Sequence, residues 1–338
     1  MKSAAGARIS VLLPAWNAAQ TLPACLRSLQ RQTEKQWHCV IVDDGSEDDT
    51  LACARAFAAR DPRFEIVGTP HCGIVAALNT GLRRCRAPLI ARMDADDLMH
   101  RDRLAAQARM LREHPRLSAV GCHVRLFPRR HLRPGRRDYE RWLNSVDCAE
   151  RVRQDAYVEC PVAHPTLMMR RAAMLDLGYR DCGWPEDYDL LLRILSAGGQ
   201  VGVAPRRLLS WRDAPDRLSR THPAYDLKRF TACKAAFLAN TFLAAGGSYV
   251  LWGYGSTGKT LRRALLAHDK APSHIVELHP GRLGKRIHGA PVIPPHALPG
   301  LPARPVIASV AGEQARGEIR HALAGMGFVD GRDFVCAA

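Results

Sequence analysis

Short apolar runs alternate with segments of helical spacing along the first part of the chain. The runs are ISVLLPA (9–15), HCVIVDD (38–44), FEIVG (64–68), LIARMD (89–94) and LSAVGCHVRLF (117–127). Each is short and rich in branched residues, as buried strands are. Between the first four lie three apolar trios: Leu22, Leu26 and Leu29; Leu51, Ala54 and Ala58; Ile74, Leu78 and Leu82. That spacing puts each trio on one face of a helix. A further helix is predicted around 101–113. Such alternation predicts an α/β fold, a mainly parallel sheet flanked by helices, whose ligands bind beyond the carboxyl ends of the strands.

From 128 to 148 the pattern gives way to Pro, Arg and Gly. It returns with CAERVRQDAYV, the apolar PTLMMRR and a helix EDYDLLLRILSAG (186–198). In that helix Leu190, Leu191, Ile194 and Leu195 form the buried stripe, and Gly198–Gly199 end it. A helix over 225–243 leads to AAGG, read as a linker, which places a domain boundary near 246. The expected domains are therefore 1–245 and 246–338.

The second domain opens with GYGSTGKT. Gly253, Gly258, Lys259 and Thr260 fit a phosphate loop, while Gly253, Gly255 and Gly258 fit a dinucleotide-binding turn. Too little chain follows for a nucleotide-hydrolysing domain. The strand HIVEL places Glu277 about 20 residues past the loop, where a ribose-binding acid belongs. APVI and RPVIASV read as further strands, so a small Rossmann-like α/β module is expected, with the glycines serving either a nucleotide or only a tight turn.

Composition narrows the field. The chain has 338 residues, 47% of them hydrophobic and 24% charged, which is ordinary for a globular protein. No apolar run approaches the roughly 18 to 20 residues that span a bilayer. The opening MKSAAGARISVLLPAWNAAQ mimics a signal peptide, but its apolar core is short, so it reads as a strand. The 11 cysteines are scattered singly without a C-x-x-C pair, which suits reduced thiols in a cytosol and no structural zinc site. A net charge of +16 favours anionic partners: nucleic acid, phosphorylated substrates or an acidic membrane surface. The densest basic stretch, Arg125 to Arg137, lacks the interleaved aromatics of a base-stacking surface; it reads as a solvated, mobile loop or as a site for anionic headgroups or a phosphorylated acceptor.

Against that positive charge, the acids of VDDGSEDD and MDADD stand out at two strand ends. Asp94, Asp96 and Asp97 repel one another unless a cation neutralises them. Mg²⁺ or Mn²⁺ prefers oxygen ligands and bridges phosphate oxygens. In an extended segment Asp94 and Asp96 would face one side and could share a ligand, whereas the ordinary alternative for Asp97 is a helix cap or turn former.

Six elements in order, ISVLLPAWNA, VIVDDGSEDDT, GIVAALNTGL, IARMDADD, HPTLMMRR and EDYDLLLRIL, resemble the family 2 glycosyltransferases of the GT-A fold, over roughly residues 8 to 220. The resemblance implies transfer of a sugar, with inversion, from a nucleoside diphosphate sugar to a hydroxyl acceptor. It puts Pro14, Ala15 and Asn17 in the nucleotide pocket and gives Asp43 and Asp44 the base and ribose, with Asp44 favoured for the base. Asp96 becomes the principal metal ligand, Asp94 touches the ribose or the metal shell, and Asp97 lies beside the donor sugar. Arg92 either assists the donor or forms a surface ion pair. An acceptor hydroxyl needs a general base; Asp187 matches the family's base, at a helix start that favours a carboxylate, and Glu186 is the next candidate, orienting the acceptor. His164 is either a buried, hydrogen-bonded histidine or an acceptor or metal contact. Trp184 either stacks on a sugar or packs in the core.

The implied partners are a divalent cation (Mn²⁺ or Mg²⁺), a nucleoside diphosphate sugar with UDP-sugars ranked first, and a hydroxyl acceptor such as a lipid-linked glycan in surface polysaccharide synthesis. A cytoplasmic enzyme, with room for peripheral attachment at an anionic inner membrane face, is expected. Two other classes compete. A sugar-1-phosphate nucleotidyltransferase would need a glycine-rich loop after the first strand, where this chain has PAWNAAQ. A nucleic-acid-binding protein would gather its basic residues on one element, and here they are dispersed.

Overall fold

The computed structural model describes residues 6–215 and 217–338. Among these the chain packs as two compact units. The first holds the residues up to Val152, Val162–Cys182 and Arg193–Arg217; the second holds Arg153–Pro161, Gly183–Leu192 and Leu218–Ala338.

The first unit is built on a sheet of eight described strands. These are β1 (Ile9–Ala15), β2 (Trp37–Asp44), β3 (Phe64–Thr69), β4 (Leu89–Arg92), β5 (Leu98–Met99), β6 (Leu117–Phe127), β7 (Met168–Arg170) and β8 (Gln200–Arg212). Their spatial order is β3-β2-β1-β4-β7-β6-β8-β5. The first four predicted strands form a parallel block, β3-β2-β1-β4. β1 and β2 are buried at every position, which explains why their sequences are apolar without alternation. The helices Leu22–Gln30, Thr50–Arg60 and Ile74–Arg84 connect these strands, and Arg103–Glu113 follows β5.

Two features differ from the sequence pattern. The run 117–127 does become a strand, but β7, antiparallel to both neighbours, separates it from β4. Strand β6 instead runs parallel to β8, with β5 antiparallel at the edge, so the sheet is mixed. The basic stretch also does not run on as an open loop. Pro134 starts a helix to Leu143 that buries Trp142 and Leu143, and proline is well tolerated in a first helical turn. Arg136 pairs with Asp213 at 3.0 Å, and Arg129 pairs with the buried Glu140.

Register aligns the strand ends that matter. Ala15 lies opposite Asp43, and Leu12 opposite Arg92. The loops leaving β1, β2 and β4 therefore open along one edge of the sheet.

In the second unit, β9 (Ser248–Trp252), β10 (Ala271–Val276), β11 (Arg286–Ile287), β12 (Ala290–Ile293), β13 (Val306–Ala308) and β14 (Phe334–Cys336) form a separate sheet, ordered β11-β12-β10-β9-β13-β14. All neighbours are parallel except β11 and β12. Leaving out β11, the order is third, second, first, fourth, fifth, as in doubly wound sheets. The sheet begins at Ser248, directly after the stretch read as a linker. The unit itself reaches further back: Leu238, Ala239 and Leu243, from the helix Leu227–Asn240 and the turn after it, share a core with Tyr249 and Leu251.

Candidate active site

After β4 the chain turns back on itself, so the three acids meet through a turn and not through the alternation of an extended strand. One carboxylate oxygen from each of Asp94, Asp96 and Asp97 lies within 4.8 Å of the others. Buried arginines brace the turn from behind. Arg103 donates to the carbonyl of Arg92 at 2.9 Å, and the Arg92 guanidinium reaches the Met93 carbonyl and the Asp94 carboxylate. Arg92 is thus paired with Asp94, and it is buried, not at the surface.

Asp97 is fully buried. It caps no helix: its Oδ1 accepts the backbone N–H of Arg212 at 2.7 Å, while Oδ2 has no hydrogen-bond partner. The Arg212 side chain donates to the Asp96 carbonyl at 2.8 Å. Burial, reinforced by the charge of Asp94, pushes Asp96 up to about 6, and Arg217 and Arg212 offset only part of this. Burial pushes Asp97 well above the carboxylate range, with Asp96 and Asp94 adding to it. A buried carboxylate oxygen without a partner, in a group of three acids that resist ionising together, fits a hard divalent cation.

The loops after β1 and β2 are tied together beside this group. Asn17, in the left-handed region at φ 46°, donates its N–H to Ser46 Oγ at 3.0 Å and accepts from Glu47 N at 2.9 Å. The Asp44 carboxylate accepts Cys72 N at 3.0 Å and Gly73 N at 2.9 Å, and His71 Nδ1 lies 3.0 Å from it. A Cβ at Gly45 would lie 2.5 Å from His71 N, so the glycine of DDGS is needed for this close approach. Asp43 is buried beside it; its Oδ2 accepts Ser46 N at 3.4 Å and its Oδ1 has no partner. The acid with an uncommitted oxygen is therefore Asp43, whereas the sequence reading favoured Asp44 for base recognition. Pro14 and Ala15 are buried at the end of β1.

The sequence reading passed over Trp16. It is 52% exposed, beside the loops of Asp43 and Asp44, and it stacks on His71 with ring centroids 4.6 Å apart and planes 21° apart. A large aromatic directly after a strand end, next to the expected nucleotide residues, was the available signal. Arg212 and Arg217 were also missed, because no motif links residues so far along the chain to the acids. His164 is buried, with Nε2 2.9 Å from the Tyr179 hydroxyl, and burial holds its pKa well below 6.5.

In the second unit, Glu186 and Asp187 begin the helix Glu186–Ser196. Glu186 is buried and accepts the Tyr225 hydroxyl; Asp187 is half-buried, and its Oδ1 accepts the N–H of Tyr188 at 2.7 Å. Trp184 donates its indole N–H to Asp189 at 3.2 Å. In the glycine loop, a Cβ at Gly253 would lie 2.3 Å from Val310, and one at Gly258 would lie 2.2 Å from the Gly253 carbonyl. Those two glycines serve packing, while Gly255 faces open space and caps the helix Ser256–Leu266. Glu277 is paired with Arg282.

Residues 10–178 match the family model Glycosyl transferase family 2, a span that contains Asn17, Asp43, Asp44, Arg92, Asp94, Asp96, Asp97 and His164. The chain belongs to glycosyl transferase family 2.

This glycosyltransferase is 31% identical over 216 residues to the amylovoran biosynthesis glycosyltransferase AmsE of Erwinia amylovora, covering 62% of this chain and 78% of that one. Its fold resembles that of S. aureus TarS 1-349, solved with UDP-GlcNAc, at a TM-score of 0.54 and 16% identity, over 77% of this chain and 72% of that one. It also resembles the mannosyltransferase PcManGT from Pyrobaculum calidifontis, solved with GDP-Man and Mn²⁺, at a TM-score of 0.51 and 24% identity, over 70% and 64% of the two chains. The fold class is thus that of the GT-A glycosyltransferases, with a second sheet present, and family membership sets aside the nucleotidyltransferase and nucleic-acid-binding alternatives. Among the described residues no helix is long and apolar enough to cross a membrane.

Proposed function

We propose that this glycosyltransferase moves a sugar from a nucleoside diphosphate sugar to a hydroxyl acceptor, with inversion, and depends on a divalent cation. The observation that carries this reading is the convergence of Asp94, Asp96 and Asp97, with one buried oxygen of Asp97 left without a partner. Asp96 and Asp94 would hold the cation, which stabilises the charge that develops on the leaving diphosphate. Asp97 sits beside the donor sugar. Asp43, whose buried Oδ1 has no partner within the protein, takes an N–H of the base, and Trp16 stacks on the base plane. Pro14, Ala15 and Asn17 shape the pocket wall, and Arg92 holds Asp94 in place.

Asp187 acts as the general base. It removes the acceptor hydroxyl proton as the oxygen attacks the anomeric carbon opposite the departing diphosphate, which inverts that carbon. Glu186, fixed by Tyr225, orients the acceptor. The AmsE relative is named for polysaccharide biosynthesis, and PcManGT was solved with Mn²⁺; these support a glycan acceptor and a divalent cation here. UDP-sugars rank first as donors, and a lipid-linked acceptor would bring a cytoplasmic enzyme to the inner membrane face. In the second unit, Gly255 is the one glycine of the loop that leaves room for a phosphate, and the doubly wound strand order supports a Rossmann-like module.

The test is a panel of UDP-, GDP- and dTDP-sugars with and without Mn²⁺, read as nucleoside diphosphate release and product anomer. Metal-dependent release that is lost in Asp96→Ala is expected. Equal release in EDTA, or a retained anomeric configuration, contradicts the reading.

A further inference from the structure

At the β8–β5 edge of its sheet the first unit carries a cavity of about 730 Å³ whose lining includes Leu98, directly after Asp97, but none of the three acids. Four arginines line it: Arg31 from the end of the first helix, Arg101 from the turn after β5, Arg125 from β6 and Arg207 from β8. All four are exposed. The floor is ordered by strand register. Arg125 lies opposite Ser210, and Ser210 lies opposite Leu98, so three neighbouring strands put these residues in one row.

No carboxylate lines the cavity. Arg31, Arg125 and Arg207 have no acidic partner among the described residues. Nearby, Asp102 is taken up by Arg206 at 3.3 Å and lies 3.8 Å from Arg101. Four like charges from four separate elements therefore face one hollow, and the protein supplies nothing to neutralise three of them.

A guanidinium presents parallel N–H donors that match phosphate oxygens two at a time. A single carboxylate would engage one such fork. Several forks around one hollow, with a Ser210 hydroxyl beside them, match a ligand with many anionic oxygens. We infer that this cavity binds a phosphate-bearing ligand, of diphosphate-like charge, at a place other than the Asp94–Asp96–Asp97 group. Two sources present that chemistry: a soluble or acceptor-borne diphosphate, and the phosphate headgroups of an anionic membrane.

The experiment uses the full chain in EDTA, so that cation-dependent binding elsewhere is silent. Inorganic pyrophosphate is titrated by calorimetry, and in parallel the protein is co-sedimented with phosphatidylcholine vesicles with and without phosphatidylglycerol. The variants are Arg125→Glu/Arg207→Glu and the milder Arg125→Gln/Arg207→Gln, should the first fail to fold. Arg83→Glu/Arg86→Glu, exposed and outside the cavity, is the charge-matched control. Pyrophosphate binding weakened about tenfold per guanidinium lost, and unchanged in the control, supports the inference and assigns it to soluble or acceptor-borne phosphate. Sedimentation only with phosphatidylglycerol vesicles, lost in the cavity variants alone, supports it and assigns it to headgroups. Binding to neither probe, binding retained in the cavity variants, or equal loss in the control overturns it.

Discussion

Asp97 accepts the backbone N–H of Arg212 on one carboxylate oxygen at 2.7 Å and keeps the other buried with no partner. Such an arrangement costs folding energy unless a ligand completes it. Asp97→Asn keeps the shape and removes the ionisable group that burial disfavours. It should therefore stabilise the ligand-free protein, by about 2–4 °C in melting temperature for each kcal/mol gained, and lower turnover by about a hundredfold or more. Thermal melts and nucleoside diphosphate release measure the two effects. A variant less stable than wild type would show that Asp97 is a purely structural acid.

Trp16 is half exposed and stacks on His71. Trp16→Ala should leave the melting temperature within a degree or two. Donor affinity should fall about 5- to 100-fold, the range for loss of one base stack, and Trp16→Phe should recover most of it. The dependence of initial rate on donor concentration separates the outcomes: KM should rise more than kcat falls.

Asp187→Asn should lower the transfer rate by about a hundred- to ten-thousandfold while leaving donor affinity unchanged. Tyr225→Phe removes the hydroxyl that Glu186 accepts and should raise the acceptor KM with a smaller effect on kcat. Full transfer by Asp187→Asn would remove it from the role of base.

His164 ties stability to pH with a defined sign. Its folded pKa lies well below 6.5 because burial disfavours the imidazolium and Arg92 adds to this. The unfolded chain takes up a proton near 6.5 and the folded one does not. The stability present above pH 6.5 is therefore lost as pH falls below it, with a slope of at most about 1.4 kcal/mol per unit. Urea unfolding at pH 7.5, 6.5 and 5.5 should show a shallower loss for His164→Asn than for wild type. Parallel curves would contradict this.

The alternation of apolar runs made the parallel block β3-β2-β1-β4 readable, because strands buried on both faces need apolar residues throughout. The acids at the ends of β2 and β4 were readable as a candidate site because Asp94, Asp96 and Asp97 crowd like charges into four positions at a strand end. The place of β7 was not readable: a three-residue strand carries no period of its own and is set by its pairing with β4 and β6. The same holds for Arg212 and Arg217, which act on Asp96 and Asp97 through tertiary folding alone. Nor does the sequence show that Asp44 is consumed by the amides of Cys72 and Gly73 while Asp43 keeps a free oxygen, since the two acids are adjacent and chemically alike.

The most direct test of the account is a calorimetric titration of UDP- and GDP-sugars into the wild-type protein and Asp96→Ala, each with Mn²⁺ and with EDTA. The account predicts that at least one donor binds wild type markedly more tightly with Mn²⁺, and that the gain vanishes in Asp96→Ala. Donor binding of equal strength with and without the cation would contradict it.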